Sequence, residues 1–257
     1  MLRKDYSLLI FISLIASVFM LLVPAISQDH SYHVFSDQRE ILGIPNFLNV
    51  ISNIPYVLFG VMGCLLIVKE SSIGIIKPLK YIYLVFFIGV VFVCLGSAYY
   101  HLNPSNSTLL WDRLPISLAF MSFFTVIIGE YVDEKIAGRL FIPLLFLGLS
   151  SVVYWYWSET VGKGDLRLYI LIQFLPIVLI PVIIWLYTSR YTHNYYFLLI
   201  IVCYVLAKLF EVADQFVFDV TGFVSGHSLK HVISAMAPYL FYLGLKKRSV
   251  REITDDS

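Results

Sequence analysis

LKYIYLVFFIGVVFVCLGSAYY, residues 79–100, carries one charge, Lys80, near its start and none after it. As a helix rising about 1.5 Å per residue, a run of this length crosses roughly 30 Å of hydrocarbon. Working outward, comparable runs lie at about 7–26, 47–68, 108–129, 139–157, 168–187, 195–213 and 227–245, which makes eight candidate membrane helices. Composition agrees: 59% of residues are hydrophobic and 14% charged, with a mean hydropathy of +0.83, where soluble domains are about 45–50% apolar. The expected fold is an all-α polytopic membrane helical bundle, a single domain with short loops. No duplicated half is visible, which counts against a repeat-built transporter.

The same composition excludes other classes. Net charge is +1 and the one basic tract is Lys246-Lys247-Arg248, so no nucleic-acid footprint exists. Cys64, Cys94 and Cys203 lack CxxC spacing and read as small apolar residues. With the N-terminus inside, 12 basic residues fall on the inner side, 3 (Arg39, Lys163, Arg167) on the outer side, and 3 (Arg113, Lys208, Lys230) within or at the edges of helices. Lys and Arg are retained in cytoplasmic loops, so both termini are expected to be cytoplasmic. Arg3-Lys4, the first apolar run and the small residues near Ala25-Ile26-Ser27 also fit a cleaved signal peptide; the length of the run favours a retained helix.

Beyond Tyr100 the run becomes GSAYYHLNPSNSTLLWDRLP, residues 96–115, and polar groups enter an apolar chain. In the expected topology His101, Asp112, His227 and His231 share one depth near the outer face. Ser97 and His101 are i, i+4, as are His227 and His231 in GHSLKH, so each pair shares a helix face. Three imidazoles on two helices form a tripod for Zn2+ with a fourth position open to water. A lone interfacial histidine is usually an amphipathic edge residue and HxxxH is weak alone, but an ionisable Asp112 at the same level marks a functional site. Glu211 and Asp214 share a face near the outer end of the seventh span and read either as lining of the site or as a structural pair with Lys208. Tyr154 to Trp157, YWYW, reads as an interfacial aromatic belt.

GSAYYH, WDRLP and GHSLKH in this order, preceded by NFLNVISNIPY, resemble the alkaline ceramidase family, within the superfamily of seven-helix membrane hydrolases that also includes adiponectin and progestin receptor-like proteins. The likeness runs from about Asp37 through Leu245, so the first helix is an addition to a seven-helix core. The division expected is 1–30 for an N-terminal membrane helix, 31–246 for the core and 247–257 for a cytoplasmic tail. The resemblance implies a zinc-dependent hydrolase of a lipid amide, ceramide or a related N-acyl lipid, releasing fatty acid and amine. His101, His227 and His231 would hold the zinc, Asp112 would act as general base, and Ser97 would donate to the developing oxyanion. Ser97 also reads as a packing residue or a backbone-bonding serine. Members of the family also carry Ca2+ before the first core helix. Asp37, Glu40, Asn46 and Asn49 are the matching oxygens, but their spacing departs from the pattern, an asparagine falls where a carboxylate is expected, and Arg39 among them leaves a solvated cap as the other reading. A lipid-binding receptor with a structural zinc is the alternative function, since the superfamily hosts both.

Overall fold

The computed structural model describes residues 6–69 and 74–251; Arg3 and Lys4 of the basic tally and the tail beyond residue 251 lie outside the described residues. The described chain is helical, with extended pairing limited to the isolated bridges Ile41–Ile44 and Tyr191–Val250. Its main helices are α1 (Ser7–Leu22), α2 (Phe47–Ile51), α3 (Ile54–Lys69), α4 (Lys80–Leu102), α5 (Asn106–Ile127), α6 (Glu134–Thr160), α7 (Arg167–Leu186), α8 (Tyr195–Val212), α9 (Asp214–Thr221) and α10 (Gly226–Lys247). Among the described residues, six spans are long and apolar enough to cross a membrane: Phe47–Lys69, Lys77–Leu102, Asn106–Val132, Glu134–Thr160, Arg167–Leu186 and Tyr195–Val212. This is a multi-pass membrane protein.

The two other expected spans differ for local reasons. α1 stops at Leu22 because Pro24 pushes Val23 into extended backbone (ψ 138°), leaving 16 residues. α10 has 22 residues, but His227, Lys230, His231, Lys246 and Lys247 dilute its apolar character. The run expected as one helix over 47–68 breaks between α2 and α3. Pro55 has no N–H to continue the ladder, and the Asn53 side-chain amide donates to the carbonyls of Asn49 (2.8 Å) and Val50 (3.3 Å) at the break.

Neighbouring helices pack in sequence from α3 to α7, and α10 closes the bundle between α8 and α3, while α1 lies outside against α7. α5 is the central helix: 78% of its span is buried, against 22–50% for the other five. The α4–α5 contact is close because a β-carbon at Gly96 would overlap the Trp111 carbonyl, so this glycine sets how near Ser97 and His101 come to Asp112. Ser105 starts α5 with a capping box shared with Thr108. At the far end of α5 a π-turn, Ile128–Val132, swings Glu130 inward. There Arg248 pairs with both Glu130 oxygens at 2.6 and 2.8 Å, and Tyr83 Oη donates to Glu130 at 2.7 Å.

Candidate metal centre

His101, in the last turn of α4, meets His227 and His231, in the first two turns of α10, at one end of the bundle. All three are buried, and their ligand atoms lie within 4.8 Å of one another. The ring centroids form a nearly equilateral triangle with sides of 4.9, 4.8 and 4.9 Å. His101 Nε2 and His231 Nε2 face each other at 3.2 Å. Two lone pairs repel at that range unless a proton or cation lies between them, and zinc–nitrogen bonds of about 2.0–2.1 Å at a tetrahedral angle place two nitrogens about 3.3–3.4 Å apart. The spacing of His101 and His231 therefore fits a zinc-sized ion.

The surroundings orient these rings. Ser52 Oγ lies 2.8 Å from His231 Nδ1 and gives its own proton to the Asn49 carbonyl at 3.2 Å, which makes Nδ1 the donor and leaves Nε2 free for a ligand. Asp214 caps the start of α10: Oδ1 accepts the His227 N–H at 2.7 Å, and Oδ2 accepts the Ser36 N–H at 3.0 Å. Lys230 Nζ lies 3.0 Å from His227 Nε2 and 3.2 Å from Glu211 Oε1, while Lys208 holds Glu211 Oε2 at 2.5 Å. The Phe35 ring covers His101 and His227 at centroid distances of 4.6 and 4.7 Å.

Asp112 is buried on α5, and its Oδ1 has no hydrogen-bond partner among the described residues. Ser97, one turn before His101 on α4, lines the same cavity as Asp112. Asp112, Ser97 and His231 line the polar end of a cavity of about 310 Å³. The opposite end is apolar, with Phe86, Phe123, Ile180 and Ile200 in its wall, and residues of α7 and α8 face each other across it.

Two of the four residues matched to calcium, Asp37 and Asn49, have their side-chain oxygens engaged. Arg39 takes both Asp37 oxygens, Nε to Oδ1 at 2.7 Å and Nη2 to Oδ2 at 2.8 Å. Burial raises the Asp37 carboxyl, but the hydrogen bonds and charge of Arg39 outweigh it and hold the group below its usual range. Asn49 Oδ1 accepts from Ser228 Oγ at 2.7 Å, Asn46 Nδ2 donates to the His101 carbonyl at 2.8 Å, and Glu40 is exposed. As arranged, Asp37 and Asn49 belong to a hydrogen-bonded cap stapled by Arg39.

The sequence profile described as Ceramidase matches residues 42–255, most of the chain. The protein belongs to the ceramidase family. Membership implies a hydrolase acting on lipid amides. No curated protein sequence matches this ceramidase-family chain.

Several residues around the centre were not singled out in the sequence. Ser52 and Asn53 lie within NFLNVISNIPY, but nothing local marks them as neighbours of a histidine; only folding brings Ser52 to His231 across 179 positions. Lys230 could have been found, since it lies between the two histidines of GHSLKH. YWYW is not a uniform belt: Tyr154 and Trp157 are exposed, but Trp155 is fully buried beneath Arg113.

Proposed function

We propose that the protein is a zinc-dependent intramembrane hydrolase that cleaves ceramide or a related N-acyl lipid into a fatty acid and an amine. The observation that carries this reading is the amphipathic cavity, whose apolar end suits an acyl chain and whose polar end is lined by Asp112 and by His231, one of the three clustered imidazoles. His101, His227 and His231 would hold the zinc, with Ser52 fixing the tautomer of His231. When bound, zinc supplies Lewis-acid polarisation of a carbonyl and makes water a nucleophile near neutral pH.

The chain's own groups do the rest. Asp112 takes the proton of the attacking water and passes it to the amide nitrogen as the C–N bond breaks, so the amine leaves neutral. Ser97, beside Asp112, donates to the carbonyl oxygen as negative charge gathers there. The apolar wall of the cavity holds the acyl chain and keeps bulk water from the reacting carbon.

In this reading residues 1–30 form the N-terminal membrane helix, 31–246 the ceramidase-like core and 247–257 the cytoplasmic tail. The metal centre faces the outer side. Lys69, Lys80, Lys135, Arg190 and Lys246 all lie at or just beyond the helix ends opposite the histidines, which supports that orientation.

The deciding experiment combines elemental analysis with turnover of an N-acyl sphingoid lipid in detergent. About one zinc per chain and release of free fatty acid are expected, and both vanish in the His227→Ala, His231→Ala double variant. Zinc-loaded protein that hydrolyses no lipid amide would move the reading to a lipid-binding receptor with a structural zinc.

A further inference from the structure

Arg113 follows Asp112 on α5, and its guanidinium is buried without a carboxylate partner among the described residues. Its π faces are covered by aromatic rings, Trp155 at 4.0 Å and Tyr169 at 4.7 Å from the guanidinium carbon. Stacking of this kind uses the face of the guanidinium and leaves its in-plane N–H edge for a planar acceptor. That edge is only partly used: Nη2 donates to the neutral Gln28 side chain at 2.7 Å, and Nη1 has no partner.

The charge balance of the cavity points the same way. Its wall contains three cations, Arg113, Lys208 and Lys230, and two carboxylates, Asp112 and Glu211. Both lysines are committed to Glu211. A buried cation left over in a low-dielectric cavity is costly unless an anion completes it. Any ion held by the three histidines adds to the positive side.

We propose that Arg113 is a specificity residue for an oxyanion on the head group of the substrate, a carboxylate or phosphate carried on the amine side of an N-acyl lipid. The proposal rests on the hydrolase reading for its substrate class, but the subsite itself follows from the guanidinium. A head group lying beside Asp112 reaches Arg113, the next residue on the same cavity wall, while the acyl chain runs toward Phe86 and Ile180. Arg113 does not act on the scissile bond; it selects what is attached to it.

Three amides with the same acyl chain test this: an N-acyl amino acid with a free carboxylate, an N-acyl lipid with a phosphate monoester head, and a neutral N-acyl ethanolamine. A charge-assisted contact of this type should raise kcat/KM for at least one anion over the neutral amide on the order of 10 to 100-fold, mostly through KM. In Arg113→Gln that ratio should fall to about one, and in Arg113→Lys it should be intermediate, because charge is kept and the planar fork lost. The ratio is taken within each variant, so a general loss of active protein cancels.

Thermal stabilisation of the unreacted protein by dodecyl phosphate, compared with dodecanol, provides a second reading that needs no turnover. Wild type should respond to the phosphate and Arg113→Gln should not. If no amide is hydrolysed while dodecyl phosphate still stabilises through Arg113, the hydrolase reading fails and the subsite stands. Equal kcat/KM for all three amides, with equal shifts from the two amphiphiles, overturns the subsite and leaves the hydrolase reading intact.

Discussion

Two polar clusters are buried at opposite ends of this bundle, and they are built on opposite plans. At the Arg248 end Glu130 has both oxygens engaged, by Arg248 and Tyr83, and Arg248 Nε donates to the Gly74 carbonyl at 2.5 Å. At the His101 end Asn53 Oδ1, His101 Nδ1, Asp112 Oδ1 and Arg113 Nη1 are all buried without a partner among the described residues. Burial of an unpaired polar atom costs about 1–3 kcal/mol, so a chain that satisfies one cluster and leaves the other open is holding groups ready for a ligand. In the proposed function the complete network secures the structure, and the incomplete one is where metal and substrate would act.

Asp112→Asn tests the open end with the largest expected effect. The carboxamide keeps the shape but accepts no proton, so amide hydrolysis should fall on the order of 10² to 10⁴-fold, roughly 3 to 5 kcal/mol of barrier. Zinc content and melting temperature should stay near wild type. A structural aspartate would instead lower both, and normal turnover in the variant would remove Asp112 from the mechanism.

The closed end should respond in stability and not in chemistry. Glu130→Ala leaves the Arg248 guanidinium buried and uncompensated, with side chains only 0% and 3% exposed in the native pair. A loss of about 3–5 kcal/mol is expected, while zinc per folded chain is unchanged. Thermal unfolding beside metal analysis decides it: a stable Glu130→Ala protein would mean that the satisfied network is dispensable.

Ser52→Ala lies between these extremes. Removing the hydroxyl that orients His231 should weaken zinc about 10 to 100-fold with little change in fold. Competition with a chromophoric chelator measures it, and unchanged affinity would show that the ring is held by packing alone.

The smallest effect belongs to the loops at the histidine end. The Arg167 hydrogen bond, partly offset by burial, holds Asp165 down to about 2, against about 3.9 for an unfolded aspartate. A carboxyl lowered on folding stabilises the native state above its unfolded pKa and loses that contribution as pH falls through the folded one. The window is therefore about pH 4 down to 2, with a loss of about 1 kcal/mol or less for such a pair. Melting temperatures in acid should decline less steeply in Asp165→Asn; superimposable curves would sink the assignment. Because Arg39 already occupies both Asp37 oxygens, a calcium-selective chelator should leave the neutral-pH melting temperature where it is.

What the sequence determined by itself was local and periodic. Hydropathy marks the spans, because crossing a bilayer requires an uninterrupted apolar helix. The 3.6-residue repeat places Ser97 with His101, and His227 with His231, on single helix faces. Alternation of short loops then carries all of them to one end. Helix ends were less legible, since Pro24 and Pro55 each cut a run whose hydropathy continues past them.

Only the tertiary structure decided which polar atoms find partners. His101 meets His231 across 130 positions, and Ser52 meets the same ring across 179. It gave Arg39 to Asp37, gave Asp214 to the start of α10, and placed Arg113 against the Trp155 and Tyr169 rings. Periodicity specifies the face a residue occupies on its own helix. Contact distance and burial, which turn an available ligand into a committed one, depend on how separate helices approach.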